Sequence, residues 1–418
     1  MLSPRIPRFS PSFSPAELLT VAHSLTRRGD EHAAIRRFEH EFATMIGVKH
    51  AVMVPSARYG FLLLLRGLGL EPGDEIIVPG LTYWAIPSIA LAAGFTVVPA
   101  DIGLHSHVLD PAAFEAAITP KTKAVVPTHL FGTPCDMPRI LEIARKHGIK
   151  VIEDTAQATG ARMAGEMVGS FGDAAYYTFG LTKNMTTLSG AMVSTDDDEL
   201  AATLRREMAT AQPRPIGKAL KEAMVGTAMM VATHKWVYPF AVHPAVVLGN
   251  KLGQDPIHER FGEAEVRYER APDASRYQAP RAVQAEVGLR QLSKIERLNS
   301  ARAANGRFLD EHLAHVPGLG VPTYPDGAEA IYMSFVVHHP QRTALADALR
   351  GRGVDTTVGY MSDITRSPLF PELERFDCPH TREAFANLLH LPVHPRLTRR
   401  DLKHMVEAVR ASCLEVGA

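Results

Sequence analysis

Asp154 closes the run KVIED, and Lys183 follows 29 positions later within YYTFGLTKNMTTLSGAMVST. Lys183 is the one charged residue between Asp173 and Asp196. An unpaired lysine in apolar surroundings tends to lose its proton, and a neutral amine is a nucleophile. Two readings fit an aspartate and a lysine so placed. They form a salt bridge, or they hold pyridoxal phosphate from opposite sides. That cofactor needs an amine for its aldehyde and a carboxylate that keeps its ring nitrogen protonated as an electron sink. It also needs a phosphate cradle and a ring to stack on. Ser56 opens the apparent helix ARYGFLLLL, whose first N–H groups attract an anion. Thr178 and Thr182 are further donors, and Tyr83 or Trp84 offers the stacking ring. No GxGxxG or GxxxxGK[ST] loop is present. Spacing alone leaves a nucleotide site open as well.

These residues must be carried by something rigid. From about residue 31 the chain alternates between helical and extended patterns. Helical runs AAIRRFEHEFATMIG, GFLLLLRGLGL, IPSIALAAG, PAAFEAAIT and MPRILEIARKHG alternate with short apolar runs HAVMVPS, DEIIVPG, FTVVPADI, KAVVPTHLF and KVIEDTAQ. Gly47 has the position of a C-cap. Such alternation predicts an α/β fold with a mostly parallel sheet flanked by helices. Ligands of such sheets sit beyond the carboxyl ends of the strands. Ser56, Thr82, His129, Asp154 and Gln157 all follow strand runs on that rim. Each alone reads as a cap or turn residue, and together they mark a site. After about residue 205 the alternation fades. It resumes with AVQAEVGLRQLSKIERLNSARAANGRFLDEHLAHV, a long amphipathic helix, and a smaller C-terminal α+β unit built on YMSFVVHHP, TALADALRGRG and DLKHMVEAVRASCL. LHLPVHPRLT reads as its connecting loop. The expected division is an N-terminal arm over residues 1–30, a large domain over 31–280, and the long helix with the small domain over 281–418.

The totals set outer bounds. The 418 residues hold 45 Lys plus Arg and 45 Asp plus Glu, so no net field favours nucleic acid. Residues 1–15 lack the apolar region of a signal peptide, and no run of 18 apolar residues suggests a spanning helix. Cys135, Cys378 and Cys413 have no metal-type spacing, which fits a reduced, cytoplasmic protein and no metal.

The stretch VIEDTAQATGARMAGEMVGSFGDAAYYTFGLTKNMTTLSGAMVST resembles the central block of the DegT/StrS sugar aminotransferases. RRFEHEFATMIGVKHAVMVPS, GDEIIVPGLTYWA, PTHLFGTPCDM, QAEVGLRQL, GVDTTVGY and LHLPVHPRLT resemble its other blocks in order. The similarity spans roughly residues 30–205 and 280–410. It implies a pyridoxal-phosphate enzyme of fold type I, with a large domain and a smaller C-terminal α+β domain. Carried over, Lys183 is the Schiff-base lysine and Asp154 the partner of the pyridine nitrogen. Gln157 lies near the phenolic oxygen, and Tyr83 stacks on the ring with Trp84 as its substitute. Thr178 and the turn Ser56-Ala57-Arg58 take phosphate. The family's dehydratases carry histidine where Lys183 stands, so the lysine favours amino transfer. The resemblance further implies a homodimer with shared sites, glutamate as donor, and a keto-sugar acceptor, most often nucleotide-linked. A non-sugar ketone or aldehyde, or a cofactor-binding regulator without turnover, are the alternatives.

Four departures qualify this. The family's SGT turn is Ser56-Ala57-Arg58, where Arg58 can offset the lost glycine by a charge-assisted contact. A histidine often found shortly before the lysine is Gly180. An asparagine that reaches the neighbour's phosphate falls near Tyr277, whose hydroxyl is a possible donor. The largest difference is residues 215–256, rich in Met, Val and Ala, where a short polar loop is usual. We expect it to cover the active site or the dimer interface as ordinary core. A hydrophobic wall for the acceptor and peripheral membrane contact are the other options.

Overall fold

The computed structural model describes residues 4–26, 30–251, 277–359 and 361–417. Seven strands form the central sheet: β1 His50–Val54, β2 Glu75–Pro79, β3 Thr96–Ala100, β4 Thr122–Val125, β5 Lys150–Asp154, β6 Ala174–Thr178 and β7 Ala191–Thr195. Their spatial order is β1-β7-β6-β5-β4-β2-β3. All neighbours are parallel except β7, which runs antiparallel to β1 and β6. The α/β expectation holds.

Both faces of the sheet are covered, which explains the unbroken apolar runs. Ile76 and Val78 pack with Phe61, Leu64 and Ile86 on one face. Ile77 between them packs with Phe114, Leu130 and Ile140 on the other. The period of two along a strand therefore divides the core into two layers. Helix ends follow their sequence signals. Gly47 adopts φ 89° and donates its N–H to the Ala43 carbonyl at 2.9 Å. Asp136 caps the helix Met137–His147, which ends at Gly148 in the left-handed region.

The long helix Ala282–Leu313 leads into the C-terminal α+β unit. There strands β8 Phe335–His338 and β9 Leu388–Leu391 pair antiparallel beneath helices Arg342–Gly351 and Arg399–Val416. β9 corrects the expectation of a loop over 389–398. The prolines begin at 392, and the four residues before them are buried against β8. The N-terminal arm joins the two parts. Ile6 bridges to Val354, and Arg8 makes a buried ion pair with Asp355 at 2.8 Å. Helix α1, Pro15–Thr26, then packs along the long helix.

Residues 215–251 are helical rather than loop-like. Helix α2, Ile216–Ala232, is followed by a π-helical turn over Tyr238–Val242 and the helix His243–Lys251. Ala219, Ala223, Gly226 and Met229 are buried, and Tyr238 donates from its hydroxyl to Asp355 at 3.0 Å. Within the single chain, the opposite side of α2 is uncovered. Ala219, Ala223 and Gly226 allow close packing on the buried side, while Leu220, Met224 and Val231 are exposed. Residues 252–256 of that segment lie outside the described residues.

Candidate active site

Register across the sheet brings the rim residues together. Val54 pairs with Ala191, Ala191 with Thr178, and Tyr176 with Asp154. The carboxyl ends of β1, β6 and β5 therefore lie side by side. Ser56 stands two residues beyond β1, Thr178 ends β6 and Asp154 ends β5.

Ser56 is the N-cap of the helix Ala57–Gly67, where its Oγ accepts the Tyr59 N–H at 3.2 Å. Such a cap contributes about 1 kcal/mol to the helix. Ala57 and exposed Arg58 form its first turn. Asp154 is buried, and its Oδ1 accepts the Ala156 N–H at 2.9 Å. Burial raises its pKa above the usual carboxylate value, opposed by that hydrogen bond, by the Tyr176 hydroxyl and by the charge of Lys183. Lys183 is half-buried, and burial pushes its pKa down, opposed by the charge of Asp154. The two influence each other through space and share no direct ion pair. The salt-bridge reading of the pair is therefore not what the structure shows.

Gln157 accepts the Phe131 N–H at 3.0 Å, and its amide approaches the Met361 sulfur at 3.7 Å. Phe131 has φ 56°, an uncommon backbone state for a bulky residue. Its carbonyl in turn accepts the Met333 N–H at 2.8 Å, so the loop under Gln157 is tied to the segment leading into β8. Tyr83 packs against the core layer that includes Phe131 and Met361, whereas Trp84 packs against the layer on the other side, as does Ala57. Their rings lie 5.5 Å apart, so the two aromatics serve different walls. Tyr277 stacks on Tyr59 of its own chain, ring centres 4.2 Å apart, next to the Ser56 turn.

Two rim residues have structural work instead. His129 accepts the Cys135 N–H through Nδ1 at 3.0 Å, which leaves its Nε2–H to donate to Glu153 at 3.0 Å. Glu153 also accepts the Gly169, Phe171 and Gly172 N–H groups. Thr82 lies in a short strand, Leu81–Thr82, paired with Ser362–Asp363. Thr182 points to solvent.

Sequence reading missed Ser12. Its hydroxyl donates to the Asn184 carbonyl at 2.8 Å and receives the Arg302 guanidinium at 3.3 Å. Nothing local marks a serine in SPSFSP as a support for a lysine loop so far along the chain. Met361 was missed for the same reason.

Residues 17–233 and 281–410 match the profile of the DegT/DnrJ/EryC1/StrS aminotransferase family. The chain belongs to this family. The match runs on to residue 233, so α2 lies inside the family pattern and the unmatched part is 234–280, narrower at its start than the 215–256 read from sequence. Among relatives of this DegT/DnrJ/EryC1/StrS protein is the UDP-N-acetyl-3-dehydro-alpha-D-glucosamine 3-aminotransferase of Acidithiobacillus ferrooxidans. It is 30% identical over 377 residues, covering 90% of this chain and 87% of that protein. The dTDP-3-amino-3,4,6-trideoxy-alpha-D-glucose transaminase of Streptomyces venezuelae is 32% identical over 376 residues, covering 89% and 85%. The X-ray structure of S. venezuelae DesV superposes with a TM-score of 0.75 over 98% of each chain at 28% identity. The fold is type I, and the protein is a pyridoxal-phosphate-dependent aminotransferase.

The residues present fit that cofactor. Asp154 is a dry carboxylate that takes one backbone N–H on Oδ1, and a protonated ring nitrogen would supply the cation it lacks. Lys183 is an amine made less basic by burial, as an aldehyde partner requires. No described group of His, Cys, Asp or Glu is arranged to hold a metal.

Proposed function

We propose that this aminotransferase moves an amino group from glutamate onto a nucleotide-linked keto-sugar, by two half-reactions on one cofactor. The observation that carries the reading is the buried pair Asp154 and Lys183, shifted in opposite directions without neutralising each other. The acceptor class is supported by two relatives of near full length named for UDP- and dTDP-linked sugars.

Pyridoxal phosphate, when bound, supplies an aldehyde that condenses with amines and a protonated ring that withdraws electrons. The chain's own residues do the rest. Asp154 holds the proton at the ring nitrogen, and its burial keeps that contact out of water, where it is worth most. Lys183 Nζ would hold the cofactor through its aldehyde and would yield that position to the donor amine. Once free and neutral, it accepts the proton from the donor's Cα. In the second half-reaction it returns a proton to the former carbonyl carbon of the acceptor. Burial lowers its pKa, which favours the neutral form.

The remaining roles are part of the same proposal. Ser56, Ala57 and Arg58 bind the phosphate at the helix N-terminus, helped by Thr178. Tyr83 stacks on the ring and Trp84 closes the wall behind the phosphate turn. Gln157 faces the phenolic oxygen, oriented by Phe131. The protein works as a cytoplasmic homodimer, in which Tyr277, beside the phosphate turn, lines the shared site. All three cysteines are free and buried, which accords with a reducing compartment.

The test is a stepwise reaction with purified protein. Glutamate alone should release one equivalent of 2-oxoglutarate per site and leave the amino form. Adding UDP- or dTDP-linked keto-sugars should then restore the starting absorbance. Release of 2-oxoglutarate with no response to any sugar nucleotide, but with turnover of a hydrophobic ketone, would replace the acceptor class. No release from any amino donor would remove the enzymatic reading.

A further inference from the structure

Nine of the ten exposed large apolar side chains among the described residues lie on α1 or between residues 216 and 248. Met224 is 72% exposed, Trp236 69% and Phe240 65%. An open groove of about 770 Å³ runs between α1 and α2, lined by Leu18, Val21, Leu220, Met224, Val231 and Val242. A continuous apolar face of this kind marks a contact surface.

Charge decides what it contacts. Residues 215–251 carry four lysines, at 218, 221, 235 and 251, and one acidic residue, Glu222. Glu222 is turned inward, bonded to Arg214 and to Ser189. The acidic residue of α1, Glu17, is buried and paired with Lys294 at 2.7 Å. Neither element therefore presents an exposed carboxylate, although the whole chain has no net charge. The Lys235 amine lies 5.6 Å from the centre of the Trp236 ring, an apolar body with a cation at its edge. A second copy is a poor occupant. A two-fold interface would set this face against itself and bring lysines toward lysines.

We propose that this face docks on the anionic headgroup layer of a lipid bilayer, with Trp236 and Phe240 entering the interface and the lysines meeting the lipid charge. No described helix is long and apolar enough to cross a membrane, so the contact lies along the surface. The buried edge of α2 packs at Gly226 against Leu181, two positions before Lys183. Docking face and lysine loop thus share one helix, which places the active site close to the bilayer. The proposal is independent of the acceptor's identity.

The test uses the full chain with its cofactor and vesicles of phosphatidylcholine, with or without phosphatidylglycerol. We expect co-sedimentation with the anionic vesicles alone, lost when salt is raised to about 1 M, where charges are screened beyond about 3 Å. Trp236→Ala with Phe240→Ala should weaken that binding at least about tenfold. Lys218→Glu, Lys221→Glu and Lys235→Glu together should abolish it. These side chains are exposed, so circular dichroism and elution volume should match the wild type. As a measurement that needs no variant, anionic vesicles should shift tryptophan emission to the blue. Wild type that stays in solution with no emission shift, or that binds neutral vesicles equally, overturns the proposal. So does a change of oligomeric mass in the Trp236 and Phe240 variant, which would assign the face to another copy of the chain.

Discussion

The Ser12 hydroxyl donates to the backbone carbonyl of Asn184 at 2.8 Å, so the N-terminal arm holds the residue next to Lys183. The same hydroxyl meets the buried guanidinium of Arg302, and the Ser12 carbonyl accepts from Gln291 and Lys294. The arm goes on to the C-terminal unit through Arg8 and Asp355. The lysine proposed as catalytic thus sits on a loop braced by the long helix and by a segment that also grips the C-terminal unit.

Ser12→Ala should act through that brace. It leaves the Asn184 carbonyl with one donor fewer and removes a partner of Arg302, a cost of about 1–3 kcal/mol for buried groups. We expect a lower Tm, retained cofactor, and a fall in kcat with little change in KM. Ser12→Thr, which keeps the hydroxyl, should restore most of kcat. Equal kcat in Ser12→Ala would show that the loop positions Lys183 unaided.

Lys183→Ala should bind the cofactor without the absorbance of a lysine-linked form. Borohydride should then leave no label on the chain, and turnover should fall by about 10²–10⁴-fold or more. A stable borohydride adduct on a different lysine would show that the amine has been misassigned.

For Asp154→Asn, an amide cannot stabilise a positive ring nitrogen by charge. The half-reaction with glutamate should slow by at least about 10²-fold, while the protein still binds cofactor. Removing a raised, buried carboxylate should not lower thermal stability. Rapid half-reaction in this variant would reduce Asp154 to a strand-end residue.

Acid should loosen the seam between the domains. His107 Nε2 and His338 Nε2 lie 2.6 Å apart, a geometry that holds one proton between two rings. His105 packs edge-on to His338, and Phe131 lies between His107 and His390, with Arg342 acting on His390. Burial pushes His107 well down, His338 down to about 4 and His390 down to about 3. The unfolded chain takes up these protons near pH 6.5, before the folded one does. Their stabilising contribution is therefore complete above about pH 6.5 and is lost as pH falls toward 4. The urea midpoint should decline across that window, and His338→Gln should flatten the decline. A midpoint constant from about pH 7 to 4.5 would refute the account.

Much of this protein is legible in local sequence because the signals are local. Ile76, Ile77 and Val78 read as a doubly buried strand, Gly47 and Ser56 read as caps, and each does that work. The chain order of strands, with Asp154 ending one and Lys183 beyond the next, was also legible there. Periodicity and capping depend on neighbours a few positions away, so sequence states them directly. What sequence did not determine depends on partners far along the chain. His129 was one of the rim residues that together marked a site, but Glu153 and the Cys135 N–H take both its nitrogens. Leu388–Leu391 became a strand because β8 lay beside it, despite the prolines that follow. Residues 216–248 were plainly apolar, but composition does not say which side is covered. Helix α2 turned its small residues inward, against Leu181 and Phe13, and left Met224 to solvent. Ser12 and Met361 reached the site only through packing. Contacts between residues so far apart are fixed by how the layers close on one another, and no local pattern encodes that closure.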